Sequence, residues 1–237
     1  MPAHIKANKG EIAERVIIAG DPARVDQLSR LMECSRLVNA NRGFIIFTGK
    51  YKSFDISVAC HGIGGPSAAI VFEELVSLGA KLIVRLGTTG GLRREIKRGE
   101  FIIPTFAGYV SGPLAHYCRD FPPCTAPDLD LTLAIIGAVK NRNIQPYIGP
   151  VFSNDAFYAE SESLAERLSV LGYIGIEMEC ATIFGLGMLR NVKTASLLVV
   201  SNNLIEKSEL ADARELQQFI EIAGLSVMDA LTSINVK

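Results

Sequence analysis

Uninterrupted apolar runs alternate with amphipathic segments along the 237 residues of the chain. Aliphatic runs are typical of strands buried on both faces, and an apolar residue at every third or fourth position is typical of helices. Strands are predicted at residues 15–21, 43–51, 54–62, 81–92, 100–110, 146–153 and 194–202, and helices from residue 23 and at residues 66–80, 129–143, 161–172 and 211–233, with residues 174–191 passing from strand into helix. Because strands and helices alternate, we expect an α/β fold with a parallel or mixed sheet, in a single domain over residues 1–237.

The composition narrows the possible partners and locations. A formal net charge of −1 gives no electrostatic attraction to nucleic acid or to an anionic membrane. The N-terminus lacks the apolar centre of a signal peptide, and no apolar run reaches the roughly 18 residues of a membrane helix. We therefore expect a soluble, cytoplasmic protein.

Five cysteines stand at positions 34, 60, 118, 124 and 180, without any C-x-x-C spacing. This count and spacing argue against a zinc site, and we expect most of the five to be reduced, packed thiols. Cys118 and Cys124 lie in a segment, residues 111–128, that holds four prolines and is expected to be a long functional loop. They are near enough in sequence to pair with each other or across a subunit boundary.

A glycine-rich turn follows one of the predicted strands, with the sequence HGIGGPS at residues 61–67. A dinucleotide-binding fingerprint would place an acidic residue about twenty positions further on. That region reads KLIVRLG and has no acid. The turn is therefore expected to line a pocket for a smaller ligand.

Arginines stand beside glycines at three places. Arg24 follows Gly20 closely, Arg42 precedes a glycine, and Arg85 lies inside the apolar run LIVRLGTT, followed by Thr88. An arginine in such a run is costly to bury without a counter-charge. Arg85 alone is explained equally well by a structural ion pair, but the three together favour a phosphate site, since guanidinium groups and glycine-rich turns both donate to phosphate.

Two carboxylates alternate with apolar residues in the segment GIEMECA, at Glu177 and Glu179. In a strand, both would point to one face. They could bind ribose hydroxyls or a metal, or form structural ion pairs. Metal is the least favoured, because no histidine neighbours them, and no metal site is predicted.

The chain resembles a known family at seven segments taken together. These are GDPAR (20–24), NRGF (41–44), HGIGGPS (61–67), RLGTTG (85–90), SNDAFY (153–158), IEMECA (176–181) and VVSNN (199–203). Their order and spacing are similar to those of the nucleoside phosphorylase-I family, over nearly the whole chain. The resemblance implies an α/β/α layered domain with a distorted central sheet. It also implies a pentosyltransferase that takes a nucleoside and inorganic phosphate and needs no cofactor.

The resemblance also implies a role for each matching residue. Phosphate is held by Gly20, Arg24, Arg85 and Thr88. His4 and Arg42 match residues that reach the neighbouring subunit's site, which implies a homo-oligomer, most simply a hexamer. The remaining matches bind the nucleoside: Glu179 at the ribose hydroxyls with Met178 and Glu177 beside it, Phe157 stacked on the base, and Ser201 with Asn202 at the base.

The chain departs from the family pattern at Asn202. Hexameric purine nucleoside phosphorylases carry Ser-Asp where this chain has Ser201 and Asn202. That aspartic acid protonates purine N7 as the base leaves, whereas an amide can only donate and accept hydrogen bonds. Arg214 is the candidate for the arginine that assists at this position.

Several activities stay open at this point. Purine nucleoside phosphorolysis is favoured. Uridine phosphorylase lacks the aspartic acid too, but normally carries Gln and Arg after the aromatic pair, where this chain reads FYAESESLAE. That segment looks like archaeal methylthioadenosine phosphorylases, whereas the loop 111–128 has some likeness to uridine phosphorylases. A nucleosidase, which uses water, would have no need of the phosphate-site arginines Arg24, Arg42 and Arg85. A non-catalytic nucleoside-binding protein is also less favoured, because its phosphate site would be free to decay, whereas here that site is complete.

Overall fold

Nine strands form one mixed sheet in the computed structural model, which describes residues 2–236. In chain order the strands are β1 (Arg15–Ala19), β2 (Glu33–Asn39), β3 (Ile46–Tyr51), β4 (Phe54–Cys60), β5 (Leu82–Gly91), β6 (Phe101–Gly108), β7 (Tyr147–Ser153), β8 (Gly175–Glu177) and β9 (Lys193–Asn203). The helices are α1 (Pro22–Ser29), α2 (Gly65–Ser77), α3 (Leu114–Tyr117), α4 (Leu129–Lys140), α5 (Glu162–Val170), α6 (Cys180–Arg190) and α7 (Gln217–Ser233). Short 3-10 helices lie at Asn41–Gly43 and Phe157–Ala159.

The sheet is distorted by a second pairing of its last strand. The strand order is β2-β3-β4-β1-β5-β8-β7-β6-β9, and β9 also pairs in parallel with β5. The strands β5, β8, β7, β6 and β9 therefore form a closed ring, while β1 to β4 extend from it as an open sheet. Strands β4, β1, β5 and β9 run parallel, so their carboxyl ends meet at one edge, where ligands bind in open α/β sheets.

Both faces of the sheet are covered, which confirms the expected α/β/α layers. On β1, Val16 and Ile18 pack into one apolar cluster with α2 and α6. Ile17 and Ala19 pack into a second cluster with α1, α4 and α7. Burial on both faces explains why this strand reads as a continuous apolar run rather than an alternating one.

The expected elements are present, with three differences. The sequence pattern did not predict β2, because this edge strand is almost fully exposed and has no apolar period. The closing helix begins at Gln217 rather than near residue 211. The loop 111–128 contains the single-turn helix α3.

The cysteines are only partly as expected. All five are free thiols, including Cys118 and Cys124. Cys60 and Cys180 are packed in the interior and Cys118 is half-buried, whereas Cys34 and Cys124 are exposed and are exceptions to the expected packing. Within residues 2–236 no helix is long and apolar enough to cross a membrane.

Candidate active site

A cavity of about 610 Å³ opens at the carboxyl ends of β1, β5 and β9. It brings together ten residues that the sequence singled out: Gly20, Arg24, Arg85, Thr88, Phe157, Glu177, Met178, Glu179, Ser201 and Asn202. It also gathers side chains that sequence reasoning missed, namely Asp21, Ile63, Thr89, Tyr158, Glu160, Ile176, Leu204 and Leu210. The set combines cations, carboxylates, an amide and apolar surface in one place.

The first part of the cavity is built around Arg24 on α1. Asp21 caps this helix by accepting a hydrogen bond from the Ala23 N–H at 2.8 Å, and Pro22 opens the first turn. This fixes Arg24, one residue further on, next to the middle of β5, where its Nη1 lies 3.5 Å from the Leu86 carbonyl. Burial lowers the pKa of Arg24 to about 10, so the group stays charged at neutral pH.

Arg85 lies beside it, buried within β5. Its Nη2 donates to Glu179 and lies 3.4 Å from Glu177 Oε2. Burial alone would lower the pKa of Arg85, but Glu179 and Glu177 outweigh it and raise that pKa. The Arg85 Nε is buried without a hydrogen-bond partner in residues 2–236. The structure thus shows the ion pair, and Arg85 also lines the cavity together with Arg24.

Two glycines make room for this arrangement. A Cβ on Gly87 would stand 2.0 Å from Arg85 Nη1, so only glycine allows the guanidinium to fold back over the strand. A Cβ on Gly20 would stand 2.8 Å from the Gly62 carbonyl oxygen. The two glycines next to the arginines are therefore required by close approach, which is the signal the sequence carried as RLG and GDPAR.

The two carboxylates of GIEMECA do not share a strand. Strand β8 ends at Glu177 and α6 begins directly after Glu179, so the predicted alternation was wrong beyond Glu177. Glu177 accepts hydrogen bonds from the backbone N–H groups of Glu179 at 2.8 Å and Cys180 at 2.9 Å, and from the Ser153 hydroxyl. Its carboxylate therefore stabilises the start of α6.

Glu179 acts instead as an acceptor at the cavity. Its Oε1 accepts from the Gly64 N–H at 2.6 Å and its Oε2 from Arg85. Burial would raise the pKa of Glu179, but the Arg85 charge lowers it, so the carboxylate is ionised. The glycine-rich turn thus positions a protein carboxylate rather than a dinucleotide phosphate. A carboxylate has about four lone-pair sites, so Glu179 keeps acceptor capacity toward the cavity.

The two asparagine side chains at the end of β9 also have different roles. Asn203 donates from Nδ2 to the carbonyls of Arg93 at 2.7 Å and Ile96 at 2.8 Å, which holds the loop after β5. Asn202 lines the cavity, and its Oδ1 accepts from the Ser201 hydroxyl at 3.1 Å. Within the described chain its Nδ2 donates to nothing, so it is left for a ligand.

Thr88 and Thr89 differ in the same way, since only one of the two hydroxyls is hydrogen-bonded within the fold. The Thr89 hydroxyl donates to the Ile176 carbonyl at 2.8 Å and joins β5 to β8. The Thr88 hydroxyl makes no hydrogen bond to residues 2–236, and Thr88 lines the same cavity as Arg85. In each of the pairs Thr88–Thr89, Glu177–Glu179 and Asn202–Asn203, one side chain holds the fold and the other keeps some hydrogen-bonding capacity at the cavity.

Three residues implied by the resemblance lie elsewhere in the chain. His4 hydrogen-bonds from Nδ1 to Glu74 at 2.8 Å and packs edge-on against Phe44. Arg42 has a left-handed backbone with φ of 56° in the 3-10 turn after β2. Arg214 is exposed before α7. None of the three lines the cavity of its own chain, so the arrangement does not bring Arg214 to Asn202.

Residues 14–234 match the phosphorylase superfamily. The chain belongs to this family. It is 34% identical over 203 residues to a guanosine phosphorylase of Halorubrum lacusprofundi, covering 85% of this chain and 83% of that one. It is 33% identical over 230 residues to a DeoD-type purine nucleoside phosphorylase of Photorhabdus laumondii, covering 95% and 97%. A solved uridine phosphorylase of Vibrio fischeri superposes with a TM-score of 0.88 at 28% identity, covering 98% and 97%.

Membership of the phosphorylase superfamily confirms the predicted family, the mixed α/β fold and the enzyme class. The nucleoside phosphorylases of this family are pentosyltransferases that use a nucleoside and phosphate. The names of these relatives cover purine nucleosides, guanosine and uridine. The choice of base therefore has to be argued from the cavity of this phosphorylase.

Proposed function

We propose that this phosphorylase cleaves purine nucleosides by phosphorolysis, with 6-oxopurines as the preferred bases. The observation that carries the proposal is the combination of groups in the cavity. Two cations and a free hydroxyl gather at Arg24, Arg85 and Thr88, the partly free carboxylate of Glu179 neighbours Arg85, and Asn202 lies in the same cavity as the aromatic Phe157. These groups match phosphate, ribose hydroxyls and a purine, respectively.

The reaction follows from these positions. A phosphate oxygen held by the arginines attacks ribose C1′ while the bond from C1′ to N9 breaks and its electron pair passes to the purine. Glu179 accepts hydrogen bonds from the 2′ and 3′ hydroxyls and keeps C1′ in line with phosphate. The departing purine takes a proton from water, and the products are the free base and ribose 1-phosphate.

Asn202 limits how the leaving base is stabilised. An amide cannot transfer a proton, but once N7 has taken a proton from water, the amide oxygen can accept from N7–H while its NH₂ donates to O6 of a 6-oxopurine. When N7 is protonated, the amino group at C6 of adenine cannot accept a hydrogen bond from that NH₂. The amide therefore favours guanine and hypoxanthine.

Uridine phosphorolysis is the second candidate. It is supported by the likeness to the uridine phosphorylases of V. fischeri and Thermococcus kodakarensis, the latter 34% identical over 218 residues. Against it, the cations among the described lining residues are Arg24 and Arg85, and no glutamine joins them. Nothing in that lining replaces the Gln and Arg pair expected of a uracil site.

The test is release of free base from guanosine, inosine, adenosine, methylthioadenosine and uridine, with and without phosphate. We expect phosphate-dependent release, fastest from the two 6-oxopurine nucleosides. Faster cleavage of uridine than of any purine nucleoside would overturn the purine proposal. Release that continues without phosphate would overturn phosphorolysis itself.

We also propose that the active unit is a homo-oligomer, most simply a hexamer, in which His4 and Arg42 complete the neighbouring cavity. This rests on their absence from the cavity of their own chain and on the family resemblance. Sedimentation at assay concentration should show an oligomer. Full activity in a species that sediments as a monomer would contradict it.

A further inference from the structure

The segment that follows β9 borders the cavity, and we call its residues 204–211 the flap. Two of its side chains, Leu204 and Leu210, line the cavity. The flap is bonded to the sheet by two backbone hydrogen bonds of 3.0 Å, from the N–H of Leu204 to the carbonyl of Gly91 and from the N–H of Ala211 to the carbonyl of Ser201. Between these ends, the flap is exposed from residue 206 to residue 210. It is therefore fixed at its ends and largely unpacked along its middle.

Two separate segments of the chain contribute exposed apolar side chains to the cavity. Leu210 of the flap is 57% exposed, and in the 3-10 helix Phe157–Ala159 the side chains of Phe157 and Tyr158 are 45% and 100% exposed. All three line the cavity. A movement of the flap toward the 3-10 helix would bury this apolar surface, which is favourable. It would also exclude water from the cavity, as closing loops do in many enzymes.

An ion pair joins the flap to helix α5, which begins shortly after the 3-10 helix. Lys207 Nζ in the flap lies 2.8 Å from Oε2 of Glu162, the first residue of α5. Glu166, one turn further along α5, adds a second negative charge near Lys207. The other described ion pair of the flap joins Glu206 to Arg94 at 3.5 Å, in the loop after β5, and does not reach α5. Neither Lys207 nor Glu162 lines the cavity, so their pair is separate from the groups assigned to phosphate and nucleoside.

We propose that the Lys207–Glu162 pair is a latch that holds the flap against α5 and sets how often the cavity opens. The two side chains are 64% and 68% exposed, and an exposed pair of this kind changes an equilibrium by about 2- to 5-fold. A contact of that size suits a latch, because the flap has to open in each turnover to admit nucleoside and release base. Salt weakens the latch, since it screens exposed charges. The proposal concerns the movement of the flap and does not depend on which nucleoside is cleaved.

Hydrogen exchange at the flap measures this opening directly. The amides to follow are those of Ser208 and Ala211, which bond to carbonyls of β9 at 2.9 Å and 3.0 Å and exchange when these bonds open. At about 0.01 M salt, Lys207→Gln and Glu162→Gln should each speed this exchange by about 2- to 5-fold. The double variant should be no faster than either single variant, because the interaction is already lost. At about 1 M salt, the wild type and all three variants should exchange at nearly the same rate.

The matched control is Lys50→Gln, which breaks an exposed pair with Asp55 at 2.9 Å on the β3–β4 hairpin and should leave flap exchange unchanged. The KM for guanosine gives a second readout. Lys207→Gln should raise it by about 2- to 5-fold at low salt, since bound nucleoside favours the closed flap, whereas the control should not. Unchanged exchange in both single variants, or effects that multiply in the double variant, would overturn the latch. The expected exchange pattern in a wild-type protein that cleaves no purine nucleoside would overturn the proposed function and leave the latch intact.

Discussion

Replacing Arg85 by methionine tests how much of the site depends on one buried cation. The side chains of Glu177 and Glu179 are 0% and 5% exposed, and that of Arg85 is 6% exposed. Removing one partner of a buried ion pair costs about 3–5 kcal/mol, because the remaining charge has no counterion. Glu177 keeps two backbone donors and the Ser153 hydroxyl, so Glu179 bears most of that cost.

We expect Arg85→Met to lower the free energy of unfolding by about 3–5 kcal/mol. Adding Glu179→Gln should recover most of the loss, since a neutral amide needs no counterion. The assay is urea denaturation of the wild type, both single variants and the double variant at one protein concentration. A coupling energy below about 0.5 kcal/mol between the two substitutions would refute the reasoning.

The same four proteins separate the ion pair from phosphate binding. Phosphate that binds only the folded state raises the free energy of unfolding by about 2.7 kcal/mol at 100 times its Kd. We expect this gain for the wild type and Glu179→Gln, and its loss in both variants without Arg85. Phosphate stabilisation that survives Arg85→Met would show that Arg85 serves only the fold.

Three further predictions concern the amides and the N-terminal segment. Asn202→Asp should raise adenosine turnover by about 10- to 100-fold and inosine turnover less, because a carboxylic acid can protonate purine N7; unchanged adenosine turnover would place residue 202 away from N7. Asn203→Ala should lower the free energy of unfolding by about 1–3 kcal/mol, because two carbonyls lose their donor. In urea denaturation the control Asn202→Ala should cost less, and equal losses would contradict the assignment of Asn203 to the fold and Asn202 to the cavity. Glu74→Gln should cost about 1–3 kcal/mol at pH 7, against less than about 1 for the surface pair lost in Glu73→Gln. Burial raises the pKa of Glu74, but hydrogen bonds from His4 and the N-terminal backbone outweigh it and hold that pKa below its usual 4.5. The cost of Glu74→Gln should therefore shrink as the pH falls below 4.5. A cost that stays constant down to about pH 3 would contradict this prediction.

The elements that sequence patterns predicted well are those whose residues face the core. Strand β1 and helix α2 are buried as their apolar runs and periods indicate. Strand β2 was not predicted because residues 33–37 are exposed, so that its sequence shows no apolar period. Local composition carries no trace of such an edge strand.

The site was predictable by residue type but not by role. Glu177 and Glu179 both drew attention as carboxylates, yet only the start of α6 decides which of them caps a helix and which keeps free lone pairs. Asn202 and Asn203 differ in the same way, through a loop that is distant in sequence. Glu160 was missed because one glutamate in a polar segment has no local signal, and only the fold places it in the cavity.

The central claim is that phosphate, not water, attacks ribose C1′ of a purine nucleoside. The most direct measurement is phosphorus NMR of the wild-type protein with guanosine and inorganic phosphate, together with quantitation of free guanine. The account predicts a new ribose 1-phosphate resonance that grows in equal amount to guanine. Guanine released with free ribose and without that resonance would contradict it.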